Sequence, residues 1–125
     1  MNRIEEFLQE GKNIIYFDFS GLGTDQEFKD LINLAKIEIV KHPPDSIYTI
    51  TNMEGVTVST NTYGIISKWM TFNKPYVKFG VVCGADATKK VIGRSAAVVS
   101  QRSNIVYVSS KEEAINYIMN LDCSS

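Results

Sequence analysis

The sequence has few of the residues on which most catalytic and metal sites depend. Its 125 residues include one histidine and two cysteines, and the cysteines stand 40 positions apart at Cys83 and Cys123. That spacing does not match a zinc site. His42 precedes two prolines at a predicted helix end, where capping of the helix is a simpler role than catalysis. We therefore expect no metal, no cofactor and no histidine-based catalysis.

Long apolar runs are also missing, and none approaches the roughly 20 residues needed to cross a membrane. Residues 1–11 are too acidic for a signal peptide, because Glu5, Glu6 and Glu10 stand against Arg3 alone. With two cysteines in the chain, a disulfide framework is not expected and a reducing compartment suits the protein. The predicted localisation is therefore cytoplasmic.

The length and composition are typical of one globular domain. Hydrophobic residues make up 44% and charged residues 22% of the chain, which are ordinary values and argue against disorder. A chain of 125 residues can bury a core without disulfide or metal staples. We expect a single domain over residues 1–125, with an N-terminal segment at 1–12 and a frayed tail at 122–125.

Short apolar runs alternate with helical patterns along the chain. The clearest run covers residues 77–83 and is rich in β-branched side chains, which suits a strand covered on both faces. Similar runs predict strands over 13–19, 46–52 and 104–108. Helical spacing predicts a short amphipathic helix over 2–9 and longer helices over 24–41, 59–72, 86–100 and 110–121. This order predicts an α/β fold with a four- to five-stranded, mainly parallel sheet flanked by helices.

The helix predicted over residues 86–100 follows directly after the clearest strand. Either Asp86 or Thr88 is suited to cap it. Asp86 and Lys90 lie four positions apart, which predicts an ion pair on its surface. The apolar spacing of this helix predicts four buried side chains, which are Val91, Ile92, Ala96 and Val99.

Two glycine-containing turns resemble parts of phosphate-binding loops. Residues 20–24 read Ser-Gly-Leu-Gly-Thr between a strand and a helix, but the third glycine of the dinucleotide fingerprint is missing. Residues 84–90 lack a second glycine before the lysines, and Asp86 would repel a phosphate. Tight turns explain both segments, so no nucleotide site is expected.

A basic segment stands out against a net charge of −1. Residues 68–102 hold seven lysines and arginines and a single acidic residue, Asp86. On the predicted helix Lys90 and Arg94 lie one turn apart on a shared face, and Lys89 flanks that face. The group is either an ordinary solvated surface or an anion-facing surface for a headgroup or an acidic partner. Nucleic acid is not an expected partner, because no aromatic residues interleave with the basic ones.

Several segments resemble small bacterial STAS-like proteins, also described as SpoIIAA-like. They are YFDFSGL at residues 16–22, KHPP at 41–44 and NKPYVK at 73–78, with further matching patterns at 84–92 and 110–114. The resemblance extends from about Asn13 to Met119. It implies a STAS-like fold, related to that of anti-sigma-factor antagonists and of CRAL-TRIO lipid-binding domains. It also implies a nonpolar or lipid-like ligand.

Regulatory proteins of that group are similar in placing a phosphorylated Ser or Thr at a helix start, typically within Asp-Ser-Ser-Gly. The corresponding residues 55–61 read Gly-Val-Thr-Val-Ser-Thr-Asn, without the Asp and the following Gly. Ser59 and Thr60 are the nearest equivalents, and a helix N-terminus tolerates a phosphoryl group. Each of them is also explained as a helix N-cap.

We predict a non-enzymatic binding or regulatory module with a pocket for a small apolar, amphipathic or lipid-like ligand. Open α/β sheets bind ligands at the carboxyl ends of their strands. The pocket is therefore expected between the sheet and the helices over 59–72 and 86–100. The residues expected at its mouth are Ser20, Met53, Glu54, Gly84 and Asp86, and those expected in its walls are Tyr63, Trp69 and Ile92.

Two alternatives stay open. The first is a partner-switching protein without a pocket, which a regulatory protein recognises through the start of the helix near Ser59. The second is a small enzyme that uses Asp18, Glu54 or Asp86, which requires a strongly perturbed carboxyl group in a cleft. In addition, an exposed apolar patch on the helix that carries Trp69 would favour a homodimer.

Overall fold

One five-stranded sheet runs through residues 3–121, the part of the chain that the computed structural model describes. Its strands lie side by side in the order of the sequence: β1 (Ile4–Gln9), β2 (Lys12–Asp18), β3 (Ile47–Asn52), β4 (Val77–Cys83) and β5 (Ile105–Val108). β1 is antiparallel to β2, and all other neighbours are parallel. The expected frayed tail, with Cys123, lies outside the described residues.

The helices of the described residues follow the parallel strands in turn. They are α1 (Asp25–Ile39), α2 (Thr60–Asn73), α3 (Ala87–Val99) and α4 (Lys111–Asn120). Thr24 and Glu27 form a complete capping box at α1, which satisfies backbone N–H groups at the helix start. No helix within residues 3–121 has the length and apolar character to cross a membrane. The prediction of an α/β fold with a mainly parallel sheet flanked by helices is confirmed.

The N-terminal segment is a strand, so the prediction of a short helix over residues 2–9 is wrong. β1 pairs with β2 in antiparallel register and forms one edge of the sheet. Glu10 and Gly11 connect the two strands with φ angles of 50° and 79°, the left-handed geometry of a tight hairpin turn. The apolar spacing suggested one buried helix face, but Leu8 is 69% exposed while Ile4 packs against the core.

Helices cover both faces of the sheet, which explains the nearly continuous apolar runs of the strands. On one face Phe17 of β2 packs in a cluster with Phe28 of α1 and Trp69 of α2. Successive side chains of a strand point to opposite faces. Tyr16 accordingly belongs to a second cluster, with Ile118 of α4. α1 and α2 therefore pack on one face of the sheet and α4 packs on the other.

Helix α3 is packed less tightly than its apolar spacing predicts. Of the four side chains expected to be buried, Ala96 is buried and Ile92 is half-buried. Val91 and Val99 are 61% and 64% exposed, so the prediction is wrong for these two residues. These two side chains are exposed because a different set of α3 residues faces the sheet.

The inward stripe of α3 consists of Lys89, Ile92, Gly93 and Ala96, which have the i, i+3, i+4, i+7 spacing of one helix face. Gly93 allows α3 to approach β5 closely. A Cβ atom on Gly93 would overlap Tyr107 Oη and would lie 3.3 Å from Tyr107 Cζ. Gly64 in α2 differs, because a Cβ atom there would meet nothing within 4 Å.

Replacing these two helical glycines with alanine should change the free energy of unfolding in opposite directions. Gly64→Ala should raise it by about 0.5–1 kcal/mol, because alanine is the better helix former. Gly93→Ala should lower it by about 1–3 kcal/mol, because the added methyl group forces Tyr107 or α3 to shift. Urea unfolding followed by circular dichroism measures both values. Equal stabilisation by the two substitutions would contradict the close contact between α3 and Tyr107.

Candidate functional site

A cavity of about 90 Å³ lies between the sheet and helices α2 and α3. Its floor consists of side chains from β3, β4 and β5, which are Thr49, Thr51, Val82, Ile105 and Tyr107, with Gly80 between them. Its roof comes mainly from the helices, through Ile66, Trp69, Met70 and Ile92. Most of the lining is therefore apolar.

Gly80 lies in the floor of the cavity, at a position where a side chain would be crowded. A Cβ atom on Gly80 would lie 3.1 Å from Thr49 Oγ1 and 3.7 Å from Ile105 Cγ1. The next residue of β4, Val81, is 1% exposed and packs in the cluster beneath α4. The sheet is therefore packed solidly on one face and retains open space on the other, beneath α2 and α3.

Trp69 is a fixed part of the cavity roof. It is 6% exposed, and its ring makes an edge-to-face contact with Phe17 at a centroid distance of 5.7 Å and stacks on Phe72 at 6.2 Å. Trp69 is the one tryptophan of the chain, so its fluorescence reports on the cavity alone. Because Trp69 is buried, it does not supply the exposed apolar patch that would favour a homodimer.

A buried arginine adds a charged group to the cavity wall. Arg102 lies between α3 and β5 and is 8% exposed. Its Nη1 donates hydrogen bonds to the Met70 carbonyl oxygen at 3.0 Å and to Asn73 Oδ1, and its Nε donates to Asn104 Oδ1 at 2.9 Å. Burial lowers the pKa of the Arg102 guanidinium. Arg102 was not predicted as a site residue, because no local pattern separates it from the other basic residues of its segment.

Lys89 supplies a second positive charge to the cavity wall, near the end of β4. Its side chain is 15% exposed, and its Nζ lies 3.4 Å from Asp86 Oδ2. The ion pair predicted between Asp86 and Lys90 is therefore wrong, because Asp86 pairs with Lys89. Lys90 and Arg94 line a separate outer groove between α3 and β5. The three basic residues expected to share an anion-facing surface are thus divided between the cavity and this groove.

Three of the residues predicted for the pocket line the cavity, namely Met53, Trp69 and Ile92. Tyr63, which was expected in a wall, is half-buried in the first turns of α2 and does not line it. Ile66, three positions further along α2, lies in the wall instead. Positions three apart lie on the same face of a helix. The prediction therefore identified the correct helix but placed the wall residue one turn too early.

The other four predicted residues, Ser20, Glu54, Gly84 and Asp86, do not line the cavity. The backbone carbonyl groups of Ser20 and Glu54 accept hydrogen bonds that hold neighbouring turns. Gly84 has a φ angle of 76°, and a Cβ atom there would lie 2.8 Å from Asn52 Oδ1. Gly84 is therefore explained by the tight turn that ends β4.

The carboxyl groups considered for a small enzyme lie away from the cavity lining. Asp86 accepts a hydrogen bond from the Lys89 backbone N–H at 2.9 Å, and this bond lowers the pKa of Asp86. A catalytic acid near neutral pH needs a raised pKa. Asp86 therefore has the properties of a helix cap. Within residues 3–121, no group of three or more His, Cys, Asp and Glu side chains is arranged to hold a metal ion.

Ser59 and Thr60 are both exposed at the start of α2. Ser59 is the N-cap, since its Oγ accepts a hydrogen bond from the Thr62 backbone N–H at 3.2 Å. Asp25 Oδ1 lies 3.4 Å from Ser59 Oγ and 2.9 Å from Thr62 Oγ1. A phosphoryl group on Ser59 would therefore meet a carboxylate that repels it.

The arrangement of strands and helices is the SpoIIAA-like or STAS fold. An uncharacterised protein of the DUF3478 family with a SpoIIAA-like fold, from Shewanella loihica PV-4, matches with a TM-score of 0.70 at 12% sequence identity, over 91% of this chain and 90% of that chain. An anti-sigma-factor antagonist (STAS) domain protein from Planctomyces limnophilus matches with a TM-score of 0.61 at 13% identity, over 93% of this chain and 97% of that one. No protein-family model and no curated protein matches the sequence. The predicted STAS-like fold is confirmed.

Tyr107, on the cavity floor, is sensitive to charge on α3. Burial raises the pKa of Tyr107 above its ordinary value, while the guanidinium of Arg94, 5.4 Å from the ring centre, lowers it. Since the folded protein holds the phenol proton more tightly than the unfolded chain, the free energy of unfolding should fall as the pH rises above about 10.

Arg94→Gln should raise the pKa of Tyr107 further, because it removes the positive charge that favours the phenolate. NMR of protein with ¹³C-labelled tyrosine resolves the titration of the six tyrosines individually. Lys90→Gln is the control, since it removes an equal charge one helical turn away and should shift the pKa less. An unchanged Tyr107 pKa in Arg94→Gln would contradict the contact between the two side chains.

Proposed function

We propose that the protein is a non-enzymatic binding module whose cavity beneath α2 and α3 holds a small, largely apolar ligand. The observation that carries this proposal is the cavity itself, an apolar-lined space over a sheet whose opposite face is fully packed. Protein interiors are normally close-packed, and empty apolar space lowers stability. Ligand sites are typically concave and mostly apolar, with a few polar groups that orient the ligand.

The volume of the cavity limits the size of the ligand. About 90 Å³ is less than the engineered cavity of about 150 Å³ that accommodates benzene. Pockets for drug-sized molecules measure roughly 300–1,000 Å³. A ligand of a few heavy atoms fits the space as it stands, whereas a long acyl chain requires one wall to move.

Helix α3 is the wall best suited to move. Ala96 is its one buried residue, and Val91, Val98 and Val99 are all more than half exposed. Segments with few buried contacts open at the lowest free energy. We therefore assign ligand entry to a displacement of α3 while α2 stays in place.

We also propose a regulatory role, on the basis of the shared fold. One protein with the same fold is named as an anti-sigma-factor antagonist, and we extend a regulatory role to this chain on that likeness. A ligand that displaces α3 would also displace its exposed valines and the basic residues Lys90 and Arg94. A partner protein that binds this outer surface would then distinguish the filled from the empty state.

Native mass spectrometry of the purified protein tests the proposal. We expect a small additional mass on part of the population, removable by organic extraction. Ala85→Leu places a larger side chain in the cavity lining and should reduce the bound fraction. Ala87→Leu is the matched control, because Ala87 is exposed in the first turn of α3 and should retain the bound mass.

Thermal melting with a panel of small apolar compounds completes this test. Compounds that bind the folded state raise the melting temperature, and Ala85→Leu should lose that rise while Ala87→Leu keeps it. A bare chain in the mass spectrum, together with no rise in melting temperature for any compound, would contradict the proposal.

A second candidate function is partner switching through the start of α2. The observation in its favour is that Ser59 and Thr60 are both exposed at that helix start. The contact between Ser59 and Asp25 disfavours negative charge on Ser59, so Thr60 is the better acceptor for a phosphoryl group.

Thr60→Glu should reduce the capture of a regulatory partner in pull-downs from the cells of origin, because the added charge imitates phosphorylation. Circular dichroism should show an unchanged fold. Thr88→Glu, at an exposed position in the first turn of α3, is the control and should leave capture intact. Identical capture by wild type and by both variants would rule out a phospho-switch at Thr60.

A further inference from the structure

Arg102 is a buried positive charge without a carboxylate partner. No acidic side chain within residues 3–121 forms an ion pair with it. The acceptors bonded to it are a backbone carbonyl group and the side-chain amides of Asn73 and Asn104, all of which are neutral. Burying a charge is unfavourable unless an opposite charge compensates it. Burial lowers the pKa of the Arg102 guanidinium, because removal from water disfavours its charged form.

One nitrogen of the guanidinium is available to a ligand. Nε and Nη1 are engaged, whereas Nη2 has no acceptor among the described residues. A Cβ atom on Gly80 would lie 4.0 Å from Arg102 Nη2 and 3.1 Å from Thr49 Oγ1. Thr49 Oγ1 and Arg102 Nη2 therefore both lie close to Gly80 on the cavity lining, so that one hydroxyl group and one cationic donor stand near each other there.

We infer that the ligand of the cavity is a small carboxylate with a short apolar body. This inference rests on the proposed function. The carboxylate lies beside Gly80 and accepts hydrogen bonds from Arg102 Nη2 and Thr49 Oγ1. The apolar body lies against the roof, at Ile66, Met70 and Ile92. A carboxylate accepts a charge-assisted hydrogen bond from Nη2, which is stronger than a bond between neutral groups.

Lys89, the other charged side chain of the cavity wall, does not provide an equivalent binding position for a carboxylate. Lys89 already pairs with Asp86 at 3.4 Å. The cavity therefore holds one uncompensated positive charge, which suits a monoanion. A phosphate with two negative charges would bring one charge more than Arg102 neutralises.

Butanoate and hexanoate, each compared with its uncharged primary amide, test the inference through the fluorescence of Trp69. We expect each acid to bind at least about tenfold more tightly than its amide, because hydrogen bonds to charged groups contribute free energy of that order. Arg102→Gln should remove this preference while the amide still binds.

If Arg102→Gln fails to fold, two further variants test the same inference. Gly80→Ala places a methyl group in the space assigned to the carboxylate, and Thr49→Val removes the hydroxyl donor. Each should weaken binding of the acids more than binding of the amides. Gly64→Ala, at an exposed position of α2 that does not line the cavity, should leave both affinities unchanged.

The possible outcomes separate this inference from the proposed function. Equal affinities for acid and amide would overturn the carboxylate inference and leave an apolar binding module standing. Absence of binding by all four compounds, together with a bare chain in native mass spectra, would overturn the proposed function as well. Competition by inorganic phosphate as strong as that by hexanoate would overturn the inference in favour of a plain anion site.

Discussion

The hydrogen bonds of Arg102 hold together the region in which the cavity lies. Its guanidinium joins the last turn of α2, at Met70 and Asn73, to Asn104 just before β5. Asn104 in turn donates to two backbone carbonyl groups at the start of β4. A buried charge can be kept in place only when such bonds satisfy it. One side chain thus fixes α2 to two strands of the sheet, whereas α3 is bonded to Arg102 only through the backbone, where the Arg102 N–H donates to the Ala97 carbonyl oxygen at 2.7 Å.

This difference between the two helices gives the cavity one fixed wall and one yielding wall. α2 is anchored at its end by Arg102 and along its length by Trp69, which packs against Phe17. α3 has Ala96 as its buried residue and approaches β5 most closely where Gly93 meets Tyr107. The α2 side of the cavity therefore keeps its shape, whereas the α3 side opens at a lower free energy. On the opposite face α4 covers a packed core cluster.

The fold was largely predictable from the sequence, because β2, β3, β4 and β5 are apolar runs and α1, α2 and α4 have clear helical spacing. β1 was mistaken for a helix, since six residues are too few to separate a period of 3.6 from a period of 2 when the turn at Glu10 and Gly11 is not recognised. The apolar spacing did not predict which face of α3 packs inward, because that face includes a charged residue, Lys89, and Gly93, which has no side chain. Arg102 was missed for a different reason. Its burial depends on α2, whose last turn lies about thirty positions away in the sequence.

The residues of the cavity floor stand apart from those that stabilise the sheet. Val82, Ile105 and Tyr107 belong to neither of the two packed core clusters. Substitutions at these positions alter the shape of the space beneath α2 and α3 and leave the side chains of both core clusters in place. Over evolutionary time the shape of this space can therefore change while the backbone stays the same.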